Sequence, residues 1–299
     1  MLYKSMSGIP FLYFVVGFIF LVRSKGIGFM ETSKIGMYRI QAEQVLKEYL
    51  VADAIILYSS VIGGVCACKM IYDLSQAISA AHYKNYFSLS KPQQIEWNNR
   101  AISTLHALFI TIMSLYLVVW SDLFSDDRLY GTIMLRRSSL STFALGVSIG
   151  YFLSDLGMII WFYPSLGGSE YVVHHLLSMV SIAYAMLAGE GQLYTYMVLI
   201  SETTTPSVNL RWYLDTAGMK RSKTYLINGI VMTSGWMVAR ILLFVYIFCH
   251  VYLHYDQVIK MQTFGIILVH MVPSVLAIMN IMWFAKIMRG LNKMVAKRQ

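Results

Sequence analysis

The sequence predicts an all-α fold, a polytopic membrane bundle of about seven transmembrane helices, within a range of six to eight, that encloses a polar-centred cavity. Three observations carry this. Of 299 residues, 57% are hydrophobic and only 13% charged, where a soluble domain carries about 25% charge. Mean hydropathy is +0.58, and apolar windows long enough to cross a bilayer recur along the chain. The polar residues inside those windows fall in clusters, which lipid tolerates only if they face inward.

The windows lie at 49–72, 101–121, 139–163, 171–188, 192–210, 224–252 and 263–285. The first has Asp53 and Asp73 at its two ends, which suits the membrane interfaces. The second and sixth are the clearest, and the sixth is the longest. The third carries Asp155 at membrane depth, and the fourth opens on His174 and His175. The fifth is the weakest, because Ser201-Glu202-Thr203-Thr204-Thr205-Pro206 puts a charge, hydroxyls and a proline inside it. Pro206 removes a backbone donor and breaks the helix there, so this segment is expected to lie buried in the bundle or to be partly re-entrant. The seventh holds His270, Asn280 and a kinking Pro273.

Residues 1–48 read differently. Ile9 to Val22 is an apolar run too short for a span and is followed by Arg23-Ser24-Lys25, and Met30 offers a second start. An interfacial anchor or a non-native extension is expected. The remaining divisions are 49–89, a first helix with its loop; 90–294, the main domain; and 295–299, a basic tail. The formal charge of +9 comes from Lys and Arg at the ends of apolar runs, a topology signal and not a nucleic-acid surface. Their bias places the C-terminal tail in the cytosol. Cys66, Cys68 and Cys249 lie in or beside apolar segments and make no disulfide framework.

An ionisable side chain at membrane depth costs at least roughly 2.5–3.5 kcal/mol on insertion, so each needs a reason. His174, Ser178 and Ser181 follow the i, i+4, i+7 rhythm of one helix face. If segments three to six surround one cavity, Asp155, His174, Glu202 and Arg240 converge on it. Arg240 is expected to partner Asp155 or Glu202. Asn209, Arg211 and Trp212 should cap the end of segment five near lipid headgroups, with Lys220, Arg221 and Lys223 in the loop beyond. No metal site is expected, because adjacent histidines on a helix diverge by about 100°. No dinucleotide or phosphate-loop motif is present, so no cofactor is expected either.

The ordered set Glu96-Trp97-Asn98-Asn99-Arg100, Ser103-Thr104-Leu105-His106, Asp155, His174-His175 and Glu202 to Trp212 resembles the TLC-domain family, the membrane domain of ceramide synthases and translocon-associated TRAM proteins. Within it, the pieces around Glu202 and Asn209-Leu210-Arg211-Trp212 most resemble the TLC domain-containing protein 4 subgroup, its plant members included. The resemblance implies a multi-pass protein of the endoplasmic reticulum tied to lipid homeostasis. In ceramide synthases the adjacent histidines act on a fatty acyl thioester, which here implies His174 and His175, with Asp155 and Glu202 as orienting carboxylates if the chain is an enzyme. The family enzymes carry a further His-Asp pair where this chain reads Ser201-Glu202-Thr203-Thr204-Thr205.

Two function classes therefore stay open. The first is lipid binding or sensing, with Ser178, Ser181, Asn209, Arg211, Trp212 and Arg240 as lipid contacts. The alternative is acyl transfer, with acyl-CoA as co-substrate. A translocon-associated structural role or a transporter follows behind. The expected partners are membrane lipids, with no nucleic acid and the oligomeric state open.

Overall fold

The computed structural model describes residues 32–125 and 131–296, with side chains from 54 onward to 291. The expected anchor at Ile9 to Val22, the side chain of Asp53 and the side chains of the tail 295–299 lie outside the described residues. The chain divides into two compact units, Met1–Ala52 and Asp53–Gln299, and everything below concerns the second.

Helix α1 is Thr32–His82, of which the part from Asp53 onward lies in this unit. Next comes α2, Lys91–Leu115, which continues into a π-helical turn at Tyr116–Trp120. Helices α3, Ser139–Trp161, and α4, Ser169–Ala188, follow. The chain then runs through α5, Gln192–Leu199, a 3-10 turn at Ile200–Thr204, and α6, Thr205–Thr216. Helix α7, Lys223–Trp236, joins α8, Leu243–Leu253, through a π turn at Met237–Leu242. A short α9, Tyr255–Val258, leads to α10, Thr263–Ala296.

Six of these stretches are long and apolar enough to cross a membrane: Ala54–His82, Lys91–Trp120, Ser139–Trp161, Ser169–Ala188, Lys223–Leu253 and Thr263–Leu291. Helix α2 starts ten residues before its apolar window. Ser90 and Gln93 form a capping box and a proline sits in the first turn, so a polar stretch from Lys91 to Arg100 becomes helix without being apolar.

The weak fifth segment runs the length of the bundle. At its start Gly191 N–H donates to Met134 O at 2.8 Å, and beside it Glu190 accepts from Gln262 N–H at 3.0 Å. At its far end Tyr213 Oη donates to Trp97 O at 2.7 Å. It thus runs from one end of the bundle to the other and does not turn back, a broken seventh element beside the six long apolar helices. Pro206 has no N–H for the carbonyl of Glu202 and its ring crowds that carbonyl. The backbone tightens into the 3-10 turn, where Thr205 N–H takes the Glu202 carbonyl instead.

The main core packs Ile110, Leu145, Ile182, Tyr196 and Ile247, all 2% exposed or less. The fully buried amide of Gln192 is satisfied: it accepts from Ser141 Oγ at 2.7 Å and donates to Ala185 O at 3.1 Å.

Helices α1 and α3 cross at glycines. A Cβ on Gly150 would lie 2.5 Å from Val61 O and 2.8 Å from Gly64 Cα, and one on Gly64 would lie 2.6 Å from Val147 O. Gly146 and Gly150 make a Gly-x-x-x-Gly pair, the spacing that lets backbones approach in lipid, where no water drives helices together. Because the obstructing atoms are backbone, Gly150→Leu is expected to cost near the top of the roughly 1–3 kcal/mol range for overpacking. The check is thermal survival of the monodisperse detergent-solubilised protein, with Gly63→Leu, which meets nothing within 4 Å, as control. Equal melting of the two variants would contradict the close crossing.

Candidate functional site

Buried polar groups gather around a cavity of about 460 Å³ at one end of the bundle. Helix α2 contributes Asn99 and Arg100, α3 Tyr151 and Asp155, and α4 Tyr171, His174 and His175. Glu202, Asn209 and Arg211 come from the broken crossing, Trp236 and Arg240 from the α7 side, and Trp283 and Lys286 from α10.

The two histidines differ. His175 Nδ1 lies 2.9 Å from Tyr171 O and Nε2 lies 2.6 Å from Asp155 Oδ2. A carbonyl oxygen only accepts, so Nδ1 carries a proton, and the carboxylate faces the second nitrogen. Both ring nitrogens are thus engaged, which leaves His175 no lone pair for base chemistry. The other Asp155 oxygen accepts from Asn99 Nδ2 at 2.6 Å. This fixes the Asn99 amide, whose Oδ1 is buried with no partner among the described residues. His174 has its Nδ1 buried and unpartnered too. Its ring stands edge-on to Trp283, with centroids 5.5 Å apart.

Arg240 is 5% exposed and reaches the site because the π turn inserts an extra residue into the α7–α8 helix, a device common at functional sites. Its Nη2 lies 3.5 Å from Glu202 Oε1. Its Nε donates to Thr204 Oγ1 at 2.8 Å and its Nη1 to Asn280 Oδ1 at 3.3 Å. Of the two carboxylates expected as its partner, Glu202 has it and Asp155 belongs to His175. Arg100 is held by Glu96 Oε1 at 2.7 Å and Asn209 Oδ1 at 2.9 Å. Asn209 in turn donates to Ser103 Oγ at 2.6 Å and Thr104 Oγ1 at 2.9 Å, locking α6 onto α2.

Of the residues singled out from the sequence, Asp155, His174, His175, Glu202, Asn209, Arg211 and Arg240 all line this one cavity. Ser178, Ser181 and Trp212 do not. Ser181 is seven residues beyond His174, about 10 Å further along the helix, and lines a separate recess of about 20 Å³. Ser178 is buried on α4 outside the lining. Trp212 packs outside, with the Arg100 guanidinium 4.8 Å from its ring centroid. Sequence reasoning missed the roles of Glu96, Asn99, Arg100 and Ser103. Their i, i+3, i+4, i+7 spacing is the signal that finds them, a polar stripe that begins on the stretch placed outside the span and ends at Ser103 just inside it. Among the described residues no group of three or more His, Cys, Asp or Glu could hold a metal ion.

Fold and site together define a polytopic helical membrane protein whose polar residues line a cavity at one end of the bundle. The TLC domain matches residues 96–289, which take in every cavity-lining residue except Gly290, and the chain belongs to the TLC domain family. TLC domain-containing protein 4-B of Xenopus laevis is 32% identical over 227 residues, covering 71% of this chain and 80% of that protein. TLC domain-containing protein 4 of Homo sapiens is 30% identical over 230 residues, covering 76% and 86%. No solved structure matches the chain.

Proposed function

We propose that the protein binds a membrane lipid in this cavity and through it acts in membrane lipid homeostasis at the endoplasmic reticulum. The observation that carries the reading is that Asn99 Oδ1, His174 Nδ1 and Arg211 Nη1, all buried and without partners among the described residues, belong to residues lining one cavity of about 460 Å³. Sites for small ligands measure about 300–1,000 Å³. A buried polar atom left unpaired costs about 1–3 kcal/mol, and three lining one cavity ask for a polar group brought by a ligand. Phe152, Ile159, Met232 and Ile287 supply apolar lining suited to an acyl chain. The endoplasmic reticulum and the role in homeostasis are carried over from the resemblance to the TLC-domain family. Lys84, Lys91, Lys220, Arg221, Lys223 and Lys286 stand at the cavity end of the helices, against Arg136, Arg137 and Lys260 at the other. This favours a cavity and a C-terminus on the cytosolic side.

A second reading is acyl transfer, favoured by the unengaged His174 beside the His175–Asp155–Asn99 chain. His174 would take the proton of an attacking hydroxyl or amine as the acyl–sulfur bond of acyl-CoA breaks and coenzyme A leaves. One experiment separates the two. The full chain in nanodiscs is incubated with isotopically labelled acyl-CoA, and bound lipid and labelled product are quantified by mass spectrometry. Lipid retained by wild type without label transfer is the expected result, with retention falling at least about fivefold in His174→Ala, equivalent to about 1 kcal/mol. Label transfer abolished by the variant would replace binding with catalysis. Neither retention nor transfer would overturn both readings.

A further inference from the structure

We infer that the cavity selects a lipid bearing one anionic group together with an O–H or N–H donor, and that Arg211 receives the anion. The inference rests on the lipid-binding reading above and extends it to charge.

Apart from His174, whose Nδ1 has no partner among the described residues, the other carboxylates and basic side chains lining the cavity pair off. Arg100 Nη2 meets Glu96 at 2.7 Å, His175 meets Asp155 at 2.6 Å, Arg240 meets Glu202 at 3.5 Å, and Lys286 meets Glu170 at 3.9 Å. Each pair sums to zero charge. Arg211 is left over. It has no carboxylate within ion-pair distance among the described residues, and its Nη1 is buried with no acceptor. Its Cζ sits 4.1 Å from the centroid of the Tyr225 ring, which offers a π face but no acceptor for that N–H. An arginine stays protonated in a protein, so neutralisation by proton loss is closed to it. The cavity therefore holds one fixed, uncompensated positive charge, and its guanidinium matches a carboxylate or a phosphate oxygen.

Asn99 sets the second requirement with the opposite polarity. Its amide nitrogen is committed to the Asp155 carboxylate at 2.6 Å, so its unpartnered oxygen is an acceptor that only an O–H or N–H donor can satisfy. A fatty carboxylate answers Arg211 alone and a monoacylglycerol answers Asn99 alone. A phosphodiester lipid with a hydroxylated headgroup answers both.

The test uses the full chain in neutral nanodiscs and three probes with the same acyl chain: lysophosphatidylglycerol, the free fatty acid and the monoacylglycerol. The proteins are wild type, Arg211→Gln, Arg211→Lys and Lys220→Gln, whose altered lysine sits in the exposed loop. Wild type is expected to bind lysophosphatidylglycerol at least about tenfold more tightly than the monoacylglycerol, with the fatty acid between. Arg211→Gln should erase that preference, Arg211→Lys should keep part of it, and Lys220→Gln should leave it whole. A wild type that binds all three alike overturns the charge inference while the cavity stands as a lipid site, and that result needs no variant to fold. Loss of the preference in Lys220→Gln as large as in Arg211→Gln assigns it to surface charge and overturns the inference too. Binding of none of the three overturns the lipid-binding reading along with it.

Discussion

Asp155→Ala is expected to lower the stability of the bundle by roughly 3–5 kcal/mol, the usual consequence of removing one partner from a buried ion pair. The variant strips His175 Nε2 of its acceptor while Tyr171 O still holds Nδ1, and it frees the Asn99 amide as well. Both groups would be left buried without partners, and the pair is buried, with side chains 11% and 6% exposed for His175 and Asp155. Asp155→Asn keeps the volume and one acceptor oxygen, so its loss should be smaller. Thermal unfolding in a fixed detergent, followed by size-exclusion chromatography, measures both. A loss below about 1 kcal/mol for Asp155→Ala would mean that the dyad does not hold α3 to α4.

Arg240→Met should be nearly as damaging, again by roughly 3–5 kcal/mol, because Glu202 loses its counter-charge at membrane depth. Thr204 Oγ1 and Asn280 Oδ1 lose their donors in the same step. The informative partner is the double change Arg240→Met with Glu202→Gln. A buried ion pair replaced by groups of similar volume is often neutral or stabilising, so the double variant should recover much of what the single one loses. A double variant as unstable as the sum of the two singles would show that Arg240 and Glu202 do not act as a pair.

These two pairs also show what the sequence could and could not carry. That Asp155, His174, Glu202 and Arg240 meet was legible, because a charge in a lipid-crossing helix has only the inside of the bundle to face. Which carboxylate Arg240 takes was not legible. Pairing depends on the depth and rotation of each helix, and the extra residue of the π turn alters both. The spans were readable from apolar windows, but a window registers contact with lipid and not helicity. It therefore missed the first ten residues of α2, where Glu96, Asn99 and Arg100 stand. For the same reason the crossing through Glu202 and Pro206 looked doubtful: it is enclosed by protein and has no need to be apolar. Ser178 and Ser181 share a face with His174, but a cavity at one end of a helix does not extend along the whole face.

The π turn at Met237–Leu242 also sets the length of the chain at that point. It holds one residue more than an α-helix would need to join α7 to α8. Deleting that residue would restore a regular helix, and it would turn the stretch ending at Trp236 by about 100° against the stretch that starts at Leu243. Trp236 lines the cavity, while Phe244, 2% exposed, belongs to a small core with Leu268, Val272 and Leu276. With a regular helix only one of these two faces could be seated at a time. Single-residue insertions and deletions here should therefore be far less tolerated than substitutions, because the irregular turn keeps the cavity wall and the core in register on one continuous helix.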